Sequence, residues 1–407
     1  MGRSIWVEWF TTSGVSTGEV VVLEEFRHPR RGRVRSPARA LIAAWLRRRG
    51  LRVRRGKLPL YGDGAQGDSA LLCVSYLDET HGAAGFAVAV PGEDAGLRAM
   101  VESMVMAWVS VLRTRRVLLA GGEPWCVGGR RVVELVESTL DDGAELVHVV
   151  GDLAASPERR VALRERGVVP VTALDEVPDG ARVVVGAAGI PEEQRVKAAK
   201  RGVRIVDGTC PHIASGKAQV RRYAERGDAV VLVGQRGHAS TEALSGQAPD
   251  ATLVVETTAD VEQMRGGDGV SAVPVPSMAI GAVVPMLAAL RRRFPKLPVQ
   301  HPDQWCYQTQ DRLATVRELA GTADVVFVLG PPESPETVRL LDVAASNAVA
   351  VGGLGDIEPS YLVDVGSVGV VVGGDASEGL RGELLTALGG LGPVAVSELR
   401  VQTRTMD

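Results

Sequence analysis

The sequence predicts an α/β protein of three similar lobes, each a mostly parallel sheet with its helices, preceded by a small α+β domain. Three observations carry this. From about Arg116 onward, short β-branched runs alternate with longer helical patterns, as βαβ units require. A unit of extended segment, cysteine and helix occurs three times, at Cys126, Cys210 and Cys306. Residues 1–112 follow neither pattern and read as a separate piece of chain.

Taken in order, EVVVLEEF (19–26) predicts a strand, and SPARALIAAWLRRRG (36–50) a helix capped by Ser36 with Pro37 in its first turn. SALLCVSYL (69–77) and GFAVAVP (85–91) predict two more strands, and residues 95–115 a helix bridging to the main body. RVLLAGG (116–122) opens the first lobe as a strand, followed by GGRRVVELVESTL (128–140) as an amphipathic helix. ELVHVVG, ARVVVGAAG, VRIVDG, DAVVLVG, TLVVET and ADVVFVLG predict further strands, each bounded by glycine, aspartate or another charged residue. The apolar run 277–295 predicts a helix bent at Pro285. The expected boundaries are 1–112 for the N-terminal domain and 113–205, 206–295 and 296–407 for the three lobes.

Composition narrows the function. No apolar run approaches the roughly 18 residues of a membrane span, and the first residues lack the apolar stretch of a signal peptide, so a cytoplasmic protein is expected. Four cysteines in 407 residues are too sparse for a disulfide framework. Residues 27–57 hold 13 Lys or Arg and no carboxylate, so with a chain total of −3 the rest carries −16. That segment is expected to dock an acidic electron donor such as a ferredoxin or flavodoxin, or simply to be a solvated basic face. It lacks the aromatic residues of a single-strand binder, so nucleic acid is not expected.

The repeated cysteines carry the chemistry. RVLLAGGEPWC, GVRIVDGTC and LPVQHPDQWC each run into a helical pattern, with cysteines 84 and 96 residues apart. A cysteine at a helix start sits where unpaired amides and the helix dipole favour the thiolate, the form that binds soft metals. Three such ends, if they converge, leave one position of a metal site open for reaction. Thiolate-only ligation suits an iron–sulfur cluster or zinc. Cys73, inside ALLCVSYL, reads instead as a small buried apolar residue.

These segments resemble the 4-hydroxy-3-methylbut-2-enyl diphosphate reductase family over about residues 114–400. EPWCVGG (123–129), DGTCP (207–211) and CYQTQDR (306–312) match its three cysteine motifs, and LRERG, EVPDGA, GQRGH and RRFP fall in family order. The resemblance implies a pseudo-threefold trefoil of α/β lobes around a central [4Fe-4S] cluster with one open iron. It implies Cys126, Cys210 and Cys306 as ligands, with Thr309 and Gln310 close by and His238 pointing into the cavity.

The departures concern the substrate. The family's Ser-Ala-His-Gly motif is GAAG here, with Ala188 at the histidine position, and its Val-His-Asn motif falls within VVGDLAASPE, with His148 set back in the preceding strand. GHAS keeps His238 but has Ser240 for a glutamate, VPVPSM leaves Ser277 as its only hydroxyl, and PPESPE (331–336) keeps Ser334 but adds Glu333 and Glu336. The last family serine is matched by Asp375. Carboxylates repel a diphosphate, which needs cationic or neutral donors. The expectation is a cluster-dependent reductive dehydroxylase with an altered small-molecule substrate. His238, Thr309 and Glu242 are the candidate catalytic residues, and Ser240, Ser277, Gln310 and Ser334 the candidate substrate contacts. The alternatives are a genuine diphosphate reductase of isoprenoid biosynthesis, or a non-catalytic cluster-bearing sensor or scaffold.

Overall fold

The computed structural model describes residues 4–61, 67–78, 82–265 and 269–403. The chain forms two compact units, Met1–Gly121 with Val316–Leu399, and Gly122–Thr315 with the C-terminal residues from Arg400. Among the described residues no helix is long and apolar enough to cross a membrane.

The second unit holds two parallel sheets. The first runs Val168–Val171, Val147–Val150, Arg182–Val185, Arg204–Asp207. Val184 faces the helix Val127–Asp141, which buries Val132, Val133, Val136 and Leu140 at helical spacing. Val183 and Val185 face the opposite way, onto Leu174, Val177 and Ala198 of the helix Glu192–Lys200 and the turn before it. The second sheet runs Thr252–Val255, Ala229–Val233, Val270–Pro274. Its middle strand sends Val231 and Val233 to the helix Ile280–Arg293, and Val230 and Leu232 to the helix Pro211–Glu225. Burial on both faces explains why these strands read as continuous apolar runs rather than as alternating ones. The helix Ile280–Arg293 runs through Pro285.

The first unit holds a five-stranded parallel sheet in the order Ala348–Val351, Val325–Leu329, Ser367–Val372, Arg115–Ala120, Val394–Leu399. The strand Arg115–Ala120 therefore belongs with the last lobe and not with the first, where a boundary at 113 would put it. The cause is burial: Val117 enters one core cluster and Leu118 another, so the strand needs neighbours on both sides and cover on both faces.

The N-terminal segment is mixed α+β, as expected, with one core cluster of its own around Phe26, Leu71, Cys73 and Ala87 and a second that it shares with the C-terminal part of the chain. Its sheet runs Trp6–Thr12, Ser69–Asp78, Gly82–Pro91, Glu19–Leu23, Arg52–Gly56, with the hairpin Glu25–His28 and Gly32–Arg35 beside it. Leu41, Ile42, Trp45 and Leu46 of the helix Arg39–Arg48 are buried with Trp108 in one cluster that also holds Val325, Phe327, Val351, Leu384 and Leu388. Trp45 meets Trp108 edge to face at 5.5 Å, and its Nε1 donates to Glu358 Oε2 at 2.9 Å. The boundary at 112 accordingly cuts through a shared core, and the one at 296 parts Phe294 from Leu297, Val299 and Trp305 of another cluster.

The helix expected at Ser36 starts at Arg39, with Ala38 in the cap position and no side chain capping it. The basic segment is less charged in effect than in sequence. Arg30 pairs with Glu8, Arg33 and Lys57 with Glu25, Arg48 with Asp356, Arg49 with Glu358, and Arg54 with Glu19.

Candidate functional site

All three repeated cysteines lie in the second unit, each at the start of a helix. Cys126 caps Val127–Asp141 from an extended backbone, and its Sγ accepts the Gly129 amide at 3.2 Å. Cys210 precedes Pro211–Glu225, with Pro211 in the first turn, and its amide donates to the Ala187 carbonyl at 2.9 Å. Cys306 stands two residues before Gln308–Thr322. It follows a single turn, Pro302–Gln304, so the third repeat differs from the first two in having no strand directly before its cysteine.

The three thiols form one electrostatic group. Burial pushes the Cys306 thiol above its ordinary value and the Gln308 amide pulls it down, while Cys210 and Cys126 are both close enough to push it up further. A Cβ at Gly128 would stand 3.0 Å from the Cys210 Sγ, so glycine there lets the first helix start against the second cysteine.

The loops are tied together around these sulfurs. Gln308 Oε1 accepts the Val127 amide at 3.3 Å, and Arg312 Nη1 donates to the Pro124 carbonyl at 2.9 Å. The helix after the third cysteine therefore holds both sides of the first. His212 Nδ1 lies 3.2 Å from the Gln304 carbonyl, joining the second helix to the approach to Cys306. Neither Gln308 nor Arg312 was singled out from sequence. Their spacing of four residues, which puts both on one helix face, is the signal that could have found them.

Of the other expected residues, Gln310 is held in place, its Oε1 accepting the Gly281 amide at 3.0 Å. Thr309 is half-buried beside it. His238 is exposed at the start of the short helix Ala239–Ser245, with Nδ1 accepting the Ser240 amide at 3.1 Å and the Ser277 hydroxyl 3.5 Å away. With the Ser240 amide donating to Nδ1, the proton of the neutral ring sits on Nε2. Cys210, Leu244 and Met278 pack on the same apolar cluster, so the helix after His238 and the turn after Ser277 rest on the core that carries the second cysteine. Ser240 is 5% exposed; its amide holds His238, while its side chain is too buried to present a broad contact. Glu242 is exposed on the same helix.

Ser334 lies in the other unit, in a loop whose polar groups are committed to each other. Its hydroxyl donates to Asp375 at 2.7 Å, and Glu336 accepts the Gly374 amide at 2.7 Å. His148 is buried with Nδ1 3.3 Å from the Arg182 carbonyl, a role internal to its sheet. Lys217 is buried and donates to the Ile190 carbonyl at 3.0 Å, and Arg236 is taken up by Glu256. Cys73 is 1% exposed and burial raises its pKa, which suits a core residue.

Among the described residues, no three His, Cys, Asp or Glu side chains gather as a ready site for one metal ion. Three sulfurs at or next to helix starts suit a cluster instead, whose ligands on different irons stand further apart than ligands of a single ion.

Known proteins agree with this arrangement. The family model described as LytB protein matches residues 117–388. A 4-hydroxy-3-methylbut-2-enyl diphosphate reductase 2 of Mycobacterium bovis is 36% identical over 71% of this chain and 91% of its own length. A 4-hydroxy-3-methylbut-2-enyl diphosphate reductase of an Azoarcus species is 34% identical over 70% and 92%. Among solved structures, the E-1-hydroxy-2-methyl-but-2-enyl-4-diphosphate reductase of Plasmodium falciparum shares the fold at a TM-score of 0.61, with 20% identity, covering 70% of this chain and 92% of that one. The family match spans all three cysteines and most of their lobes, and the chain belongs to the LytB protein family.

Proposed function

We propose that the chain is a reductase that holds a [4Fe-4S] cluster on Cys126, Cys210 and Cys306 and removes an activated hydroxyl from a small molecule that lacks a diphosphate. The observation that carries this is the set of three cysteines at or next to helix starts, with the first and third loops clamped together by Gln308 and Arg312. When bound, the cluster supplies electrons and one coordination position that no cysteine fills.

The protein's own residues do the rest. His238 presents Nε2–H, with the Ser240 amide fixing the ring through Nδ1, and so can donate a hydrogen bond to the departing oxygen. Gln310 holds the turn at Gly281 against the helix that follows Cys306, and Thr309 and Glu242 are the further hydroxyl and carboxyl groups proposed for proton delivery. The net change breaks one C–O bond, takes up two electrons and two protons, and releases water.

Two features support an altered substrate. The GAAG loop beside Cys210 offers a methyl at Ala188, where the family resemblance implies a histidine. In the other unit, the loop amide of Gly374 already holds Glu336, and Ser334 already holds Asp375, so those donors are satisfied by carboxylates of the chain itself. The electrons are proposed to come from a small acidic carrier such as a ferredoxin or flavodoxin. With six cations of the basic segment paired locally, the exposed Arg27, Arg52 and Arg55 are its proposed docking face.

The reading is tested with cluster-loaded protein, reduced methyl viologen and a panel of uncharged allylic alcohols. Dye oxidation that depends on the added alcohol is expected, and His238→Ala should lower kcat by about a hundredfold, as loss of one hydrogen-bond donor to developing charge does. A rate unchanged in that variant would remove His238 from the reaction.

A further inference from the structure

Within the first unit, the hairpin Glu25–His28 and Gly32–Arg35 and the start of the helix Arg39–Arg48 border a cleft of about 420 Å3. Four cations line it, Arg33, Arg35, Arg39 and Lys57, against two carboxylates, Glu24 and Glu25. Glu25 is shared, with Arg33 Nη2 at 2.6 Å and Lys57 Nζ at 3.0 Å, so one carboxylate orients two cations and the lining keeps an excess of positive charge.

At the helix start beside this cleft the Arg39 amide donates to the Ser36 carbonyl at 3.2 Å, and Arg39 Nη1 donates to the same oxygen at 3.1 Å. The first amides of any helix lack partners within it. Here no side chain caps them and no acidic residue stands in the first turn, so the positive end of the dipole is uncompensated. Ser36 supplies an independent sign. It lines the cleft, is 1% exposed, and its hydroxyl finds no hydrogen-bond partner, the position expected to cap the helix being left instead to Ala38. A buried hydroxyl without a partner costs free energy that an acceptor oxygen would recover.

The site thus asks for a compact group that carries negative charge and several acceptor oxygens at once. A phosphoryl group has both, and guanidinium forks match its geometry. The volume suits a small phosphorylated molecule rather than a phosphate ion alone. We propose that this cleft binds the phosphoryl group of a small molecule, received by Ser36 and the first turn of the helix, with Arg35 and Arg39 as its charge partners. This does not rest on the function proposed for the three-cysteine site, and the substitutions that test it leave that site intact.

Calorimetric titration of the full chain with inorganic phosphate, at constant ionic strength held with chloride, reads the binding directly. One saturable site is expected. Arg35→Gln with Arg39→Gln should weaken it at least about tenfold, since two charge-assisted contacts are lost. Ser36→Ala should weaken it too, whereas Ser36→Thr, which keeps the hydroxyl, should not. Arg35→Gln alone, at an exposed side chain, guards against a folding defect and should give a smaller loss in the same direction. Absence of saturable heat, or an affinity unchanged in the double variant, would overturn the proposal. So would a short oligonucleotide that binds far more tightly than phosphate and loses that binding in the same variant.

Discussion

Cluster-loaded protein is expected to reduce 4-hydroxy-3-methylbut-2-enyl diphosphate at less than about one hundredth of the kcat/KM of the Mycobacterium bovis relative, measured side by side. The physical cause is the loss of donors to a charged group, each worth about 1.5 to 3 kcal/mol when buried. Ala188 offers no donor, and Ser240 is buried where the family pattern has a carboxyl group. Two lost contacts alone reach the predicted deficit, because about 1.4 kcal/mol is a factor of ten. Ala188→His should recover about tenfold, since one restored donor is worth about 1.4 kcal/mol or more at this half-buried loop position. Equal kcat/KM for the two proteins would return this chain to the ordinary diphosphate chemistry of its relatives.

Removing residues 1–112 is expected to unfold the first unit rather than to liberate a functional three-lobed body. Trp108, at 0% exposed, and Leu41, Ile42 and Leu46 share one cluster with Phe327, Val351, Val370 and Leu388. Their loss would bare one face of the five-stranded sheet. The chain from residue 113 should be insoluble or unfold without a cooperative transition. In the full chain, Trp108→Ala should destabilise the first unit by about 3 to 5 kcal/mol, the usual cost of emptying an aromatic core site. Chemical unfolding followed by the fluorescence of the remaining tryptophans measures it. A truncated chain with an undiminished, cooperative transition would mean that the shared core contributes little.

The same contrast separates what was legible in the sequence from what was not. The helix starts at Cys126 and Cys210 are local events: an extended residue, then Pro211 or the Gly128–Gly129 pair, then apolar residues at helical spacing, and each is written within a dozen residues. The expected helices 128–140 and 277–295 accordingly correspond to Val127–Asp141 and Ile280–Arg293. Sheet membership is not local. Nothing within RVLLAGG says that its neighbours lie at Ser367–Val372 and Val394–Leu399, more than two hundred residues away. The run VAVSEL, with exposed residues at its centre, reads weakly as a strand and becomes one because it closes the edge of that sheet. Likewise the apolar face of SPARALIAAWLRRRG announces that it will be buried, but not against which lobe.

At the site, residue types were more legible than partners. The cysteines were evident from their repetition, and His238 from its motif. The clamps were not, because Gln308 and Arg312 act on backbone groups of residues 123–127, and backbone acceptors leave no trace in a sequence. Ser334 shows the converse. As a hydroxyl in a loop it reads as a substrate contact, yet a carboxylate 41 residues later already accepts its proton.

The central claim is that Cys126, Cys210 and Cys306 together hold one cluster. Iron and acid-labile sulfide should be determined after anaerobic reconstitution, with the visible spectrum, for the full chain and for Cys126→Ser, Cys210→Ser, Cys306→Ser and Cys73→Ser. About four irons and four sulfides per chain with broad visible absorbance are predicted for the unaltered protein and for Cys73→Ser, with loss of most of that absorbance in each of the other three. Undiminished iron and absorbance in any one of those three variants, or their loss in Cys73→Ser with the fold intact, would contradict the account.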